Sequence, residues 1–315
     1  MFQKKTETMR IVPSNPTWKK FMGSKVLFLM LLPGLILLIV YKYMPMLGLV
    51  MAFKDFSFSK GIWGSSWVGF ENFKFLFTRH PSFFQLVFNT LAISLLKLIF
   101  YFPVPIILAI LINEVKSRYF KKFVQTVIYL PHFVSWVVFG SIVKQFLMPD
   151  IGIVNQIISL LGGEQIFFMT EKVFFRPIVV ISEIWKSAGW GSILYLAALT
   201  SISPEYYEAA DLEGARRFQK IWHITLPCIS ETIVVLLLLE IGKIMDVGFE
   251  QIYVLANSAV YSVGDVLSTY IYRIGIGQAK FSISTAIGLF QSVIGLILVL
   301  SANGICRKFF DKSIW

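Results

Sequence analysis

The fold class predicted by this sequence is an all-α membrane protein of six transmembrane helices, and three observations predict it. Of 315 residues, 56% are apolar and 15% are charged, too few polar side chains to cover a water-soluble globule of this size. Six apolar runs approach the roughly 20 helical residues that cross a hydrocarbon core of about 30 Å. Lys and Arg are spread unevenly over alternate connecting segments, as in a chain oriented by the positive-inside rule.

The runs lie at Lys25 to Met44, Phe84 to Ile112, Phe123 to Leu147, Pro177 to Leu199, Cys228 to Val247 and Ile283 to Ile305. No small-residue cleavage site follows the first, which therefore reads as an uncleaved span. Met46 to Phe53, beyond Pro45 and containing Gly48, reads as an interfacial extension of it. Pro103 and Pro105 interrupt the second run and Pro131 sits early in the third, so kinks are expected there. In the sixth, Gly288, Ser292 and Gly295 put small residues on one side, a pattern for close helix packing. The segment from Gly248 to Lys280 is apolar enough to hold a short helix.

Counted along this plan, the inner segments carry 16 Lys and Arg against 7 in the outer ones, which places both termini in the cytoplasm. Residues 1–24 and 306–315 are then cytoplasmic tails, and residues 25–305 form the membrane domain with an inner loop at 201–227.

The net charge of +11 is divided among short segments without a continuous basic face, which fits topology and anionic membrane lipid and argues against nucleic acid. Cys228 and Cys306 are the only cysteines, too few for a thiolate metal site and too far apart in sequence to suggest a disulfide. There is no phosphate loop, no H-E-x-x-H, no G-x-G-x-x-G and no G-x-S-x-G. His80, His132 and His223 are widely separated and read as loop or interfacial residues. No catalytic residue and no metal site is expected, so any ATP hydrolysis belongs to another polypeptide. An ion-coupled secondary transporter would show repeated halves with broken segments. A membrane-embedded enzyme would show a reactive constellation at depth. Neither is visible.

The informative stretch is SISPEYYEAADLEGARRFQKIWHITLPCIS, from Ser201. Ser203 is placed to cap a helix, Pro204 suits its first turn, Glu205 and Glu208 sit toward the positive end of its dipole, and Gly214 permits a sharp change of direction. Arg216, Arg217 and Lys220 open a second piece that ends at Pro227. By composition alone, an amphipathic hairpin on the membrane surface also fits.

Glu208, Ala209, Ala210, Gly214 and Ile224 to Pro227, at these spacings, match every fixed position of the EAA motif, so the chain resembles the transmembrane subunits of ABC importers. VGFENFKFLF at Val68, YLPHFVSWVV at Tyr129, WKSAGWG at Trp185 and GLFQSVIGLILVL at Gly288 are similar to the carbohydrate-uptake branch, close to LplB-type permeases. They are more distantly similar to the larger membrane subunit of the maltose importer, whose extra N-terminal helices and large periplasmic insertion are missing here. The resemblance implies a type I importer permease fold in the bacterial cytoplasmic membrane. It also implies a second homologous permease subunit, two cytoplasmic ATPases that bind ATP and Mg, and an extracytoplasmic sugar-binding protein. Peptides or amino acids are the alternative cargo.

Ionisable side chains at membrane depth are costly and mark pathways or internal pairs. Glu183, Lys186, Ser187 and Trp190 share one face of the fourth run, and Glu240, Lys243 and Val247 share one face of the fifth. The resemblance points to Lys186, Ser187, Trp190, Glu240, Lys243 and Val247 as the sugar path. Ion pairs Glu183 with Lys186 and Glu240 with Lys243, at i,i+3, account for the same charges without a ligand.

Overall fold

The computed structural model describes residues 25–310, and these fall into two units, a segment ending at Val50 and a body from Met51. In the first segment, α1 (Lys25–Leu38) runs into a π turn, Ile39–Tyr43, and a 3-10 helix, Met44–Phe53. The expected extension past Pro45 is therefore helical. Leu29, Met30 and Leu31 expose their side chains, as a helix surrounded by lipid does.

The body opens with a short antiparallel pair, β1 (Lys54–Asp55) on β2 (Ser66–Trp67), and α2 (Glu71–Thr78). Next come α3 (Phe83–Leu96), a π turn at Lys97–Tyr101 and α4 (Pro103–Glu114). Pro103 and Pro105 lie within one continuous helical stretch, Phe83–Glu114, where the π turn before Pro103 adjusts the ladder around the missing N–H. The π turn, rather than a sharp kink, marks the junction.

The third run differs most from expectation. It divides into α5 (Arg118–Tyr129), a 3-10 turn at Leu130–Phe133 and α6 (Trp136–Phe146), which are bent by 103°. Pro131 removes a donor from the ladder, and Ser135 starts α6 afresh by accepting the Val138 N–H at 3.4 Å.

After α7 (Ile153–Leu160), α8 spans Lys172–Thr200, starting before the predicted Pro177. The loop at 201–227 forms α9 (Pro204–Leu212) and α10 (Arg217–Lys220), and a π turn at Ile221–Thr225 leads to α11 (Leu226–Gly242). That helix stops five residues short of the predicted Val247. The segment that follows holds α12 (Phe249–Leu255) and α13 (Leu267–Gly275), and α14 runs from Phe281 to Phe310, beyond the predicted end at Ile305.

Among the described residues, four helices are long and apolar enough to cross a membrane, or five if the bent pair counts as one span. The 29-residue α8 is long enough, but it carries Lys172, Arg176, Glu183 and Lys186 and falls outside that count on composition.

Helix α8 is the centre of the body, packing against α4, α5 and α11. A Cβ at Gly189 would stand 2.1 Å from the Ile128 carbonyl oxygen, so only glycine lets α5 cross α8 backbone to backbone. One buried cluster joins Ile93, Phe139, Phe175 and Val179 to Ile252 and Leu255 of α12. A second joins Leu76, Phe83 and Leu86 to Leu267, Ala286 and Ile287. A third joins Ala109, Tyr195 and Leu199 to Ile229. Of the small residues in the last run, a Cβ at Gly295 would stand 4.0 Å from the Gly242 carbonyl oxygen of α11 and one at Gly288 would stand 4.0 Å from Ile271 of α13, both ordinary contacts, while Ser292 is exposed.

Candidate functional site

Where α3 gives way to α4, and between α8 and the end of α11, the body holds a cavity of about 560 Å³. Ser187, Trp190, Glu240, Lys243 and Val247 of the expected path line it, together with Lys97, Tyr101, His132, Glu183 and Asp246, which were not singled out for it. One wall is aromatic: the Trp190 indole stacks on the His132 ring with centroids 4.6 Å apart and planes parallel, and Phe133 meets it edge-on at 5.5 Å. Trp190 keeps 44% of its surface open, enough to offer a ring edge and face to a ligand.

Lys186 is absent from that lining. It is 6% exposed, and its ammonium donates to the carbonyl oxygens of Pro131 (3.3 Å), His132 (2.9 Å) and Val134 (2.5 Å). These carbonyls lie at the elbow between α5 and α6, where the helical ladder is broken. Three donors on one cation meet three acceptors, so Lys186 fastens the 103° bend to α8.

The i,i+3 pair Glu183 to Lys186 does not form. Glu183 instead accepts from Lys97 at 2.9 Å. Lys97 also donates to the Val247 carbonyl (2.7 Å) and to Gln251 Oε1 (2.5 Å), and Gln251 Nε2 donates to Val179 O (2.7 Å) and Ser182 Oγ (2.9 Å). One buried network thus ties the π turn, α8 and α12 together.

Glu240 and Lys243 do pair, at 3.7 Å, with side chains 41% and 68% exposed. In that setting the pair contributes little to stability and leaves both groups available at the cavity. Val247 does not share a helical face with them, because α11 ends at Gly242. The turn that follows places Val247 in the wall and its carbonyl on Lys97.

The loop at 201–227 folds as a helix, a break and a second helix. Ser203 stands at the N-cap of α9 without a side-chain capping bond, and Pro204 opens the helix. Gly214 has φ +76°, and around it the Gly214 N–H reaches Asp211 O at 3.1 Å while the Ala215 N–H reaches Ala210 O at 2.9 Å. This is a Schellman C-cap, which needs a left-handed residue at the turn. Lys220 pairs with Asp211 at 2.6 Å, and Tyr207 Oη lies 3.0 Å from Thr225 Oγ1, so the two helices are joined into one knob, residues 201–227. Glu208 and Ala209 are exposed on α9 and Ala210 is half-buried.

A sequence model of the family described as binding-protein-dependent transport system inner membrane component matches residues 101–311. The chain belongs to this family. As a permease of this kind it is the non-catalytic membrane subunit of an ABC transporter, and the ATPase is a separate partner. The permease is 50% identical to Protein LplB of Bacillus subtilis (strain 168), over 92% of this chain and 91% of that one. It is 48% identical to the polygalacturonan/rhamnogalacturonan transport system permease protein YteP of the same organism, over 94% and 92%. Among solved structures, a chain of a bacterial alginate ABC transporter in complex with alginate pentasaccharide-bound periplasmic protein superposes with a TM-score of 0.87 at 44% identity. That match covers 95% of this permease and 100% of the other chain.

Proposed function

We propose that this permease forms half of the pore of an ATP-driven oligosaccharide importer in the cytoplasmic membrane. The other half is a second homologous permease, with two cytoplasmic ATPases carrying ATP and Mg and an extracytoplasmic binding protein that delivers the sugar. The observation that carries the reading is the continuity of α8. Its 29 residues extend about 43 Å, carry Glu183, Ser187 and Trp190 at the cavity, and end four residues before Pro204 of the knob. Displacing the knob therefore moves the cavity wall. Two of the similar proteins reported above, named for polygalacturonan/rhamnogalacturonan and for alginate, support an oligosaccharide as cargo.

In this reading α8 completes a set of six spans with the five apolar ones, its charges being held inside the bundle by Lys97 and the elbow carbonyls. Both termini and the knob are cytoplasmic. In a variant with Cys228→Ser and Cys306→Ser, a cysteine replacing the exposed Ser258 should react with an impermeant thiol reagent on intact cells. One replacing Glu213 should not. The reverse pattern contradicts the topology.

Trp190, Ser187, Glu240 and Lys243 form the sugar surface: the indole offers a stacking face, and the polar groups offer hydrogen bonds to hydroxyls. Trp190→Ala should raise the half-saturating concentration for uptake about twofold to tenfold, the range expected for one lost aromatic contact, while the complex still copurifies. Unchanged uptake at limiting sugar would remove Trp190 from the path.

A further inference from the structure

A second cavity, of about 510 Å³, lies among the outer segments, between the end of α6, α12 and α13. Its size is in the range of ligand sites, about 300–1,000 Å³, and its lining includes Lys144, Tyr253, Tyr261, Tyr272, Arg273 and Asp265. Tyr253 and Tyr272 meet edge to face at 5.1 Å, and Phe249 stacks behind Tyr253 at 5.3 Å. Tyr253 nevertheless stays 53% exposed and Tyr272 40%. This is a braced aromatic platform with an open side.

The two cations differ in their freedom. Arg273 is held: it pairs with Asp265, and the rings of Tyr261 and Tyr270 lie 4.7 and 5.3 Å from its guanidinium carbon. Asp265, in turn, accepts from Thr269 Oγ1 at 2.8 Å. Lys144 lies in the last turn of α6, and its ammonium has no ion pair or hydrogen bond among the described residues. Asp265 is the only carboxylate in the lining, and it is engaged by Arg273. The cavity therefore keeps one uncompensated positive charge beside apolar rings.

A pyranose presents an apolar face suited to tyrosine rings, and a uronic acid adds a carboxylate at the ring edge, the group a free ammonium binds best. We propose that this outer cavity is a subsite for a carboxylated sugar residue, with Lys144 taking the carboxylate and the Tyr253–Tyr272 platform taking the ring. The proposal rests on the oligosaccharide-importer reading and adds both a charge preference and a first contact on the outer side.

The test is reagent protection in intact cells carrying the full transporter. Lys144 is acylated by an impermeant N-hydroxysuccinimide ester, and its modification is read by peptide mass with millimolar trigalacturonate or maltotriose present. Trigalacturonate should cut labelling of Lys144 severalfold and maltotriose should leave it unchanged. Tyr272→Ala should weaken that protection about threefold. An unreactive Lys144, or equal effects of the two sugars, overturns the subsite. Uptake of labelled trigalacturonate is followed in the same cells. Selective protection without uptake upholds the subsite and counts against the importer reading, whereas uptake without protection removes the subsite alone.

Discussion

Glu208→Lys or Gly214→Val should abolish substrate-stimulated ATP hydrolysis in the purified complex and weaken retention of the ATPase, although neither residue lies near either cavity. Glu208 is exposed on α9 next to Ala209, a small residue that lets a partner's groove come close to the backbone. A carboxylate there suits a charge-assisted hydrogen bond to a basic residue in that groove, and reversing its charge turns attraction into repulsion. Gly214 acts through geometry. No atom lies within 4 Å of where its Cβ would be, so a substituted side chain meets no steric neighbour. Its cost is the left-handed backbone at φ +76°, about 1–2 kcal/mol for an ordinary L-residue and more for a β-branched one. Valine should relieve that strain by abandoning the Schellman turn, which redirects α10 relative to α9. Asparagine tolerates this conformation, so Gly214→Asn should keep most of the coupling. Normal stimulated turnover in both Glu208→Lys and Gly214→Val would reduce the knob to a membrane-surface hairpin.

Lys97→Met should be the most damaging single change within the bundle. Lys97 and Glu183 have side chains 14% and 17% exposed, and removing the cation leaves Glu183 mostly buried without its counter-charge. Breaking such a pair costs about 3–5 kcal/mol, and here the Val247 carbonyl and Gln251 Oε1 lose their donor as well. The amount of folded permease recovered with its partners should fall sharply. The double variant Lys97→Met with Glu183→Leu should recover much of it, because replacing both charges avoids the orphaned carboxylate. Equal yields of wild-type and Lys97→Met complex would mean that the network does not hold the π turn, α8 and α12 together.

The apolar runs, the inner loop and its glycine break were legible because each depends on local composition: length against bilayer thickness, and a cap, a proline and a glycine at fixed offsets. The elbow was not legible. Pro131 signals a kink, but the 103° angle depends on Lys186, 55 residues away, capturing the freed carbonyls. For the same reason Lys186 reads from spacing as a partner of Glu183 or as a path residue, while its nearest acceptors are backbone oxygens. Glu183 finds Lys97 across 86 residues, a separation that helical periodicity does not encode. Apolar Ile244, Met245 and Val247 carried the fifth run past the end of α11, although Gly242, Asp246 and Gly248 break it and were the available signal. His132 joined the cavity only because the elbow folds it onto Trp190.

As the membrane pathway of an oligosaccharide importer driven by a separate ATPase, this permease is tested most directly by accumulation of labelled trisaccharides, neutral and uronic, in vesicles containing the complete complex. Accumulation should require this permease, the binding protein on the outer side and ATP on the ATPase side, and should cease when hydrolysis is blocked. Accumulation that persists without ATP and follows an imposed ion gradient would contradict that role.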